Sequence, residues 1–350
     1  MKNNKHYFIM PLVLFLILFL MTSGAEAFHP YGIQAQGMGG AYAALGDDVA
    51  AIYYNPAALE EPLMLGAGLS GTIMIDELDL DSLENIYNLY SDFSLDDFDP
   101  DDLKIDDQRF TLFGMGALHA RSFMGFMPAV AVTTSNQLSF EDQDTLRVNS
   151  TFTDMVNLRY RILDPPLDVL SITVGSNLKR YRTEEYEYVL DPINDEVTEE
   201  SSDQGQGFGF DLGARTKITD MVTVGVSTRD LFSNVKWEDG NSENIPASYR
   251  AGVSASVPLL AFTVAGDIEN FENNDQRYNR IHLGFEKGFF FNTLQVRGGS
   301  YTRPETDSID QVFTGGLGIN MRAIRADFNL LSQDDLLNIS GGSLSIGVSF

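Results

Sequence analysis

The residues able to do chemistry do not assemble into a reaction centre. Four histidines, His6, His29, His119 and His282, are scattered and share no common motif. Serine is abundant, but no Gly-x-Ser-x-Gly elbow accompanies it. Cysteine is absent, which excludes a disulfide framework, a thiolate metal site, a cysteine nucleophile and a lipid-modified N-terminal cysteine. The run Gly37-Met38-Gly39-Gly40 is not a phosphate loop, because it lacks the Lys-Ser/Thr pair and a preceding strand. Oxygen ligands gather at Asp96, Asp97, Asp99, Asp101 and Asp102, a set that suits Ca²⁺. Their spacing lacks the Gly and terminal Glu of the twelve-residue calcium loop, so a solvated acidic loop is the expectation. The chain is therefore expected to be no enzyme, and to need no metal and no cofactor.

Charge narrows the classes further. Fifty acidic residues face 23 basic ones, a net charge of −27, which repels phosphate and argues against nucleic acid as a partner. Residues 76–107 alone hold 13 acidic residues against Lys104. Within them Leu83, Ile86, Tyr87 and Tyr90 follow helical spacing, which predicts a short amphipathic helix in a loop. A mean hydropathy of −0.10 excludes a multi-helix membrane transporter.

Residues 1–27 read as an export signal. Lys2 and Lys5 precede an apolar run of 14 residues, Phe8 to Met21, and Ala25-Glu26-Ala27 fits small-x-small cleavage after Ala27. The run is short of the ~20 residues that a spanning helix needs.

From residue 63 onward the dominant period is two. Leu344, Ile346, Val348 and Phe350 alternate with Ser343, Ser345, Gly347 and Ser349. Tyr249, Ala251, Val253, Ala255 and Val257 alternate with Arg250, Gly252, Ser254 and Ser256. Such strands have one apolar and one polar face. A soluble sandwich would bury the apolar face between sheets. A membrane barrel would turn it to lipid and face a wet lumen with Arg159, Arg161, Arg215, Arg229, Arg250, Arg280, Arg297, Arg325, Asp211, Asp267 and Asp327.

The connections favour the barrel. Strands are predicted near 63–75, 108–119, 122–135, 146–162, 168–189, 205–218, 221–236, 246–257, 259–270, 277–286, 291–303, 309–320, 322–332 and 340–350. That is about 14, the even number that bacterial barrels use. Long connections (76–107, 136–145, 190–204, 237–245, 271–276, 304–308, 333–339) alternate with short ones, as extracellular loops alternate with periplasmic turns. Tyr87, Tyr160, Tyr249, Phe289 to Phe291 and Tyr301 are candidates for interfacial aromatic girdles. The terminal Phe350 resembles the recognition signal of barrels handled by the outer-membrane assembly machinery.

Residues 28–62 do not alternate. They contain Gln36-Gly37-Met38-Gly39-Gly40-Ala41, then Gly46-Asp47-Asp48, then Asn55-Pro56-Ala57-Ala58. This combination resembles the N-terminal signature of the FadL-like outer-membrane transport superfamily, which includes long-chain fatty-acid transporters and PorV-like relatives. Ile245-Pro246-Ala247-Ser248-Tyr249-Arg250-Ala251-Gly252-Val253 resembles a strand opening of the PorV-like branch. The resemblance implies an all-β transmembrane antiparallel barrel over 63–350, with residues 28–62 as a hatch inside the lumen. Gly37, Gly39, Gly40, Asp47, Asp48, Asn55, Pro56 and Ala57 are then the hatch or gating residues. It also implies location in the cell outer membrane, among its lipids, and uptake of a hydrophobic solute such as a fatty acid. The alternative it carries is a PorV-like scaffold that holds cargo for a secretion-system component. A soluble exported β-sandwich is the third reading.

Overall fold

The computed structural model describes residues 32–46, 48–60, 65–76, 109–142, 145–163, 171–191, 196–273, 276–304, 310–321, 324–333 and 339–349. Two short helices, α1 (Ile33–Gly37) and α2 (Ala51–Tyr54), precede the strands. These are β1 (Leu65–Asp76), β2 (Arg109–Ala120), β3 (Phe126–Asp142), β4 (Thr145–Leu163) and β5 (Ser171–Asp191). They continue with β6 (Glu196–Lys217), β7 (Val222–Trp237), β8 (Ser242–Glu243), β9 (Ser248–Val257) and β10 (Phe262–Asn273). The last five are β11 (Gln276–Phe289), β12 (Leu294–Arg303), β13 (Asp310–Met321), β14 (Ile324–Gln333) and β15 (Ile339–Ser349).

Successive strands pair antiparallel around a ring, with β7 pairing β9, and β1 pairing β15 from Gly68↔Ser349 to Asp76↔Gly341. That last ladder closes the sheet and leaves no free edge. The two-residue β8 pairs with β7 beside the ring, so 15 strands less one give a wall of 14.

Side-chain polarity is inverted relative to a soluble sandwich. Leu65, Leu118, Val156, Leu178, Phe208 and Leu283 are more than half exposed, while Asn157, Arg159, Asn177, His282 and Asn329 are fully buried. Apolar side chains thus face outward to lipid and polar ones face the interior, the arrangement of a transmembrane barrel. The apolar cluster inside is built around the N-terminal segment: Met38, Tyr42, Leu45, Ile52 and Tyr54 pack with Met115 and Met155 of the wall.

In three expected long loops the described residues prove to be strand. The β3–β4 ladder runs to Asp142↔Thr145, β5–β6 to Asp191↔Glu196, and β10–β11 to Asn273↔Gln276. Where both faces of a hairpin meet water, the apolar alternation disappears. The backbone ladder does not depend on it and continues. Tyr301 is also corrected: it is buried, packed with Val312 and Leu331 on the inner side, and is no girdle residue. Tyr160, Tyr249 and Phe289 do face outward.

Candidate functional site

The interior is held together by a division of labour between segment and wall. The segment 32–60 has little regular structure and offers backbone groups; the inward side chains of the wall supply mostly donors to its carbonyls, and Asp267 an acceptor for two of its amides. Gly39 and Gly40 both take positive φ, 61° and 79°, a backbone that residues with a Cβ rarely adopt. Gly39 also touches the wall backbone: a Cβ there would lie 2.6–2.8 Å from Ser300 N, Ser300 O and Leu283 O.

The first half of the segment rests on β9 to β13. Arg250 Nη1 donates to Gly40 O at 2.6 Å, His282 Nδ1 contacts Gly39 O at 2.7 Å, and Thr314 Oγ1 donates to Gly37 O at 3.1 Å. Asp267 Oδ2 accepts from both Tyr42 N and Ala43 N at 2.8 Å. The second half rests on β4 to β7. Asn157 Nδ2 donates to Pro56 O and Asn177 Nδ2 to Ile52 O, both at 2.9 Å. Ser227 Oγ donates to Tyr54 O at 2.7 Å, Arg215 Nε to Ala44 O at 3.0 Å, and Arg159 to Leu59 O.

Buried charges pair across strands. Glu269 takes Arg250 at 2.7 Å, His282 at 3.2 Å and Arg229 at 3.4 Å. Arg297 bridges Glu286 at 2.7 Å and Asp327. Lys179 bridges Asp211 at 2.6 Å and Asp230 at 2.7 Å, and Tyr181 donates to Asp230. Removing such charges from water is costly unless they are paired, and here each has a partner of opposite charge. Tyr54 is fully buried in the segment, and burial holds its hydroxyl pKa well above the ordinary value, so it is neutral.

Asp230 reaches the lumen through a wall irregularity. Between the pairs Phe210↔Phe232 and Leu212↔Thr228, three residues of β7 oppose Asp211 alone. This bulge gives Asp230 a φ of 52° and directs its N–H to Asp211 Oδ1 at 2.9 Å. Gly209 leaves the space that the Asp230 carboxylate and Tyr181 occupy.

Among the residues expected from sequence, Gly37, Gly39, Gly40, Asn55, Pro56 and Ala57 all lie in this interface. Asn55 Nδ2 donates to Ala43 O at 2.8 Å and to Ala214 O at 3.1 Å, and Asn55 Oδ1 accepts from Ala57 N at 3.0 Å. Asp48 serves its own backbone, accepting from Ala50 N at 2.8 Å ahead of α2. Asp47, Phe350 and residues 77–107 of the acidic loop lie outside the described residues, as does the signal. Asn157, Asn177, Lys179, Ser227, Glu269 and His282 were not singled out as site residues, although Asn157 shares its strand parity with Arg159, and Glu269 with Asp267. Among the described residues, no group of three or more His, Asp or Glu is placed to hold a metal.

Behind Asn55-Pro56 the wall is thin. Cβ atoms at Gly175 and Gly213 would overlap Pro56 and Asn55. On the outer side of the same strands lies an apolar hollow of about 630 Å³, lined by Leu158, Tyr160, Ala214, Val226, Thr228 and Tyr249 among others.

No family model matches the sequence, and no match was found among curated proteins. Solved structures do match. The Ralstonia pickettii toluene transporter TbuX aligns with a TM-score of 0.60 at 13% identity, over 92% of this chain and 98% of that one. The monoaromatic hydrocarbon channel CymD gives 0.61 at 15%, over 92% and 98%. A Pseudomonas aeruginosa FadL homologue gives 0.59 at 10%, over 94% and 98%. At these identities the likeness is one of fold, and the fold is that of FadL-like barrels.

Proposed function

We propose that this FadL-like barrel is an outer-membrane channel for the uptake of hydrophobic small molecules, with the N-terminal segment as its hatch. The observation that carries this reading is how the segment is bonded. It contributes no strand to the wall; the contacts described above are bonds made by single side chains, mostly from the wall to its backbone with Asn55 reaching back to Ala214 O, and apolar packing. It can therefore shift without breaking a ladder, and the closed ring survives the shift. A lumen of 14 strands lies near the size that leaves an aqueous channel, so a plug is needed to prevent leakage.

The route supported best starts at the long-loop end and passes beside the Tyr42–Tyr54 cluster. It leaves where Gly175, Gly213 and the β7 bulge thin the wall, opening on the 630 Å³ hollow. The fold's solved counterparts include transporters of toluene and channels for monoaromatic hydrocarbons, which supports an apolar solute. Phe350 serves insertion by the assembly machinery in this reading. Deleting the gene is expected to slow uptake of long-chain fatty acids or toluene, and the purified barrel to release bound apolar solute on solvent extraction. Unchanged uptake of both classes overturns the channel.

One observation favours the scaffold alternative: β5 and β6, at 21 and 22 residues, project well past β9, β12 and β14, at 10 residues each. That projecting ladder offers a surface to a secretion partner. Co-purification of a secretion component in place of lipid would select it.

A further inference from the structure

The short-turn end of the barrel carries apolar side chains beyond the last rungs of the wall. Leu259 is 95% exposed and Phe291 fully exposed, with Leu260, Phe290 and, across the ring, Phe123 and Met124 also exposed. Two of these turns are joined into one platform. Gly288 N donates to Ala261 O at 2.8 Å, and Lys287 Nζ donates to Leu260 O.

The backbone at these tips is the second observation. Phe290, Phe291 and Asn292 take φ of 52°, 56° and 65°, and Met124 takes 53°. Left-handed positions in tight turns favour Gly, Asn or Asp, because a Cβ is disfavoured there. Here Phe and Met occupy them. In water, both the strain and the exposed ring surface are unfavourable. An apolar surrounding reverses the second effect and accounts for large side chains at such positions.

We propose that this end of the barrel is seated in the lipid layer itself. Leu259, Leu260, Phe290 and Phe291 are buried at the boundary of acyl chains and headgroups, and Arg121, Lys217 and Lys287 meet anionic headgroups. Two features select lipid over a protein partner. The platform is continuous with the lipid-facing wall: Phe262 of the adjoining strand packs on the outward Phe285, ring centroids 6.5 Å apart, and Leu283 follows on the same face. The cations stand at the short-turn end, whereas Glu184, Glu185, Glu187, Asp203, Glu238, Asp239 and Glu243 stand at the opposite end. Wall girdles are a general feature of such barrels; seating of the turn tips goes beyond them, since the tips lie past the strands.

The single tryptophan, Trp237, lies at the long-loop end and permits a clean test. The full chain carrying Trp237→Phe and Phe291→Trp is reconstituted into vesicles of phosphatidylcholine and phosphatidylglycerol with brominated chains. The expected result is blue-shifted emission that loses its larger part to brominated lipid and little to aqueous iodide. The unaltered chain, reporting from Trp237, is expected to show the converse. If Phe291→Trp does not fold, Leu259→Trp is the second reporter. Quenching by iodide and not by brominated lipid overturns the proposal. So does protection from both quenchers accompanied by cross-linking of the tips to a second copy or another protein.

Discussion

Asn55 lies against Gly213: its Nδ2 donates to the carbonyl of the next wall residue, Ala214, at 3.1 Å, and a Cβ at position 213 would overlap its Oδ1. The same amide group also serves Ala43 O and Ala57 N, so one side chain ties two parts of the segment to β6. Asn55→Ala is expected to weaken the hold on the segment by about 1–3 kcal/mol, the range for buried backbone groups left without a partner. The readouts are protease cleavage within 32–60 of an otherwise intact barrel and a raised conductance in planar bilayers. Gly213→Val should open the same contact from the wall side, by overpacking of about 1–3 kcal/mol.

Asp267 holds the other half. Its Oδ2 accepts from the adjacent amides of Tyr42 and Ala43 while pairing with Arg250 at 3.2 Å. Hydrogen bonds to a charged group contribute about 1.5–3 kcal/mol each. Asp267→Asn is expected to speed amide exchange at Tyr42 and Ala43 while leaving exchange in the β10–β11 ladder unchanged. Equal acceleration of both would show that the side chain supports the barrel generally.

Lys179 stands between two buried carboxylates. Lys179→Met leaves Asp211 and Asp230 without their shared cation and is expected to lower stability by about 3–5 kcal/mol. The guanidinium midpoint of the detergent-solubilised barrel reports this. Adding Asp211→Asn should restore part of the loss, because one of the two stranded charges is then gone.

The outer hollow makes a prediction about transport alone. Ala214→Trp fills it from the lipid side, and Asn55, which bonds the backbone carbonyl of Ala214, keeps its partner. Uptake of toluene is expected to fall while the unfolding midpoint stays close to that of the parent. A lowered midpoint with normal uptake would remove the hollow from the route.

Orientation of the wall is tested by charge. Val226 is half exposed on the outer face, next to the inward Ser227. Val226→Arg is expected to destabilise the barrel in bilayers by about 2–4 kcal/mol if it lies near the midplane. In detergent with mobile headgroups the loss should be smaller.

Much of this architecture is legible in the sequence, because the side chains of a strand alternate and the barrel obeys that alternation strictly. Arg159, Arg250, Asp267, Arg297 and Asp327 were placed inward by parity alone, and they are buried. The Gly-rich and Asn-Pro-Ala stretches marked the segment that does not alternate, and Gly39, Asn55 and Pro56 are among its contact points with the wall. Parity fails where the backbone departs from the ladder. Asp230 shares its parity with the outward Val226 and Phe232, and only the three-against-one bulge opposite Asp211 turns it into the lumen. Tyr301 has the composition of a girdle residue, but it shares the parity of Arg297, four residues earlier on the same unbroken strand, and sits on the inner face.

By itself, then, the sequence determined about 14 strands with one apolar and one polar face, since period-two patterning acts within each strand; the β1–β15 ladder closes the sheet and the exposure of Leu178 and Phe208 shows the apolar face turned outward. Tertiary structure alone decided which inward donor meets which carbonyl of the N-terminal segment: Arg250 with Gly40, Asn177 with Ile52, Asn157 with Pro56. Those partners lie 101 to 210 residues apart. Their meeting depends on strand stagger and on the path of a segment without periodicity, and no local pattern encodes either.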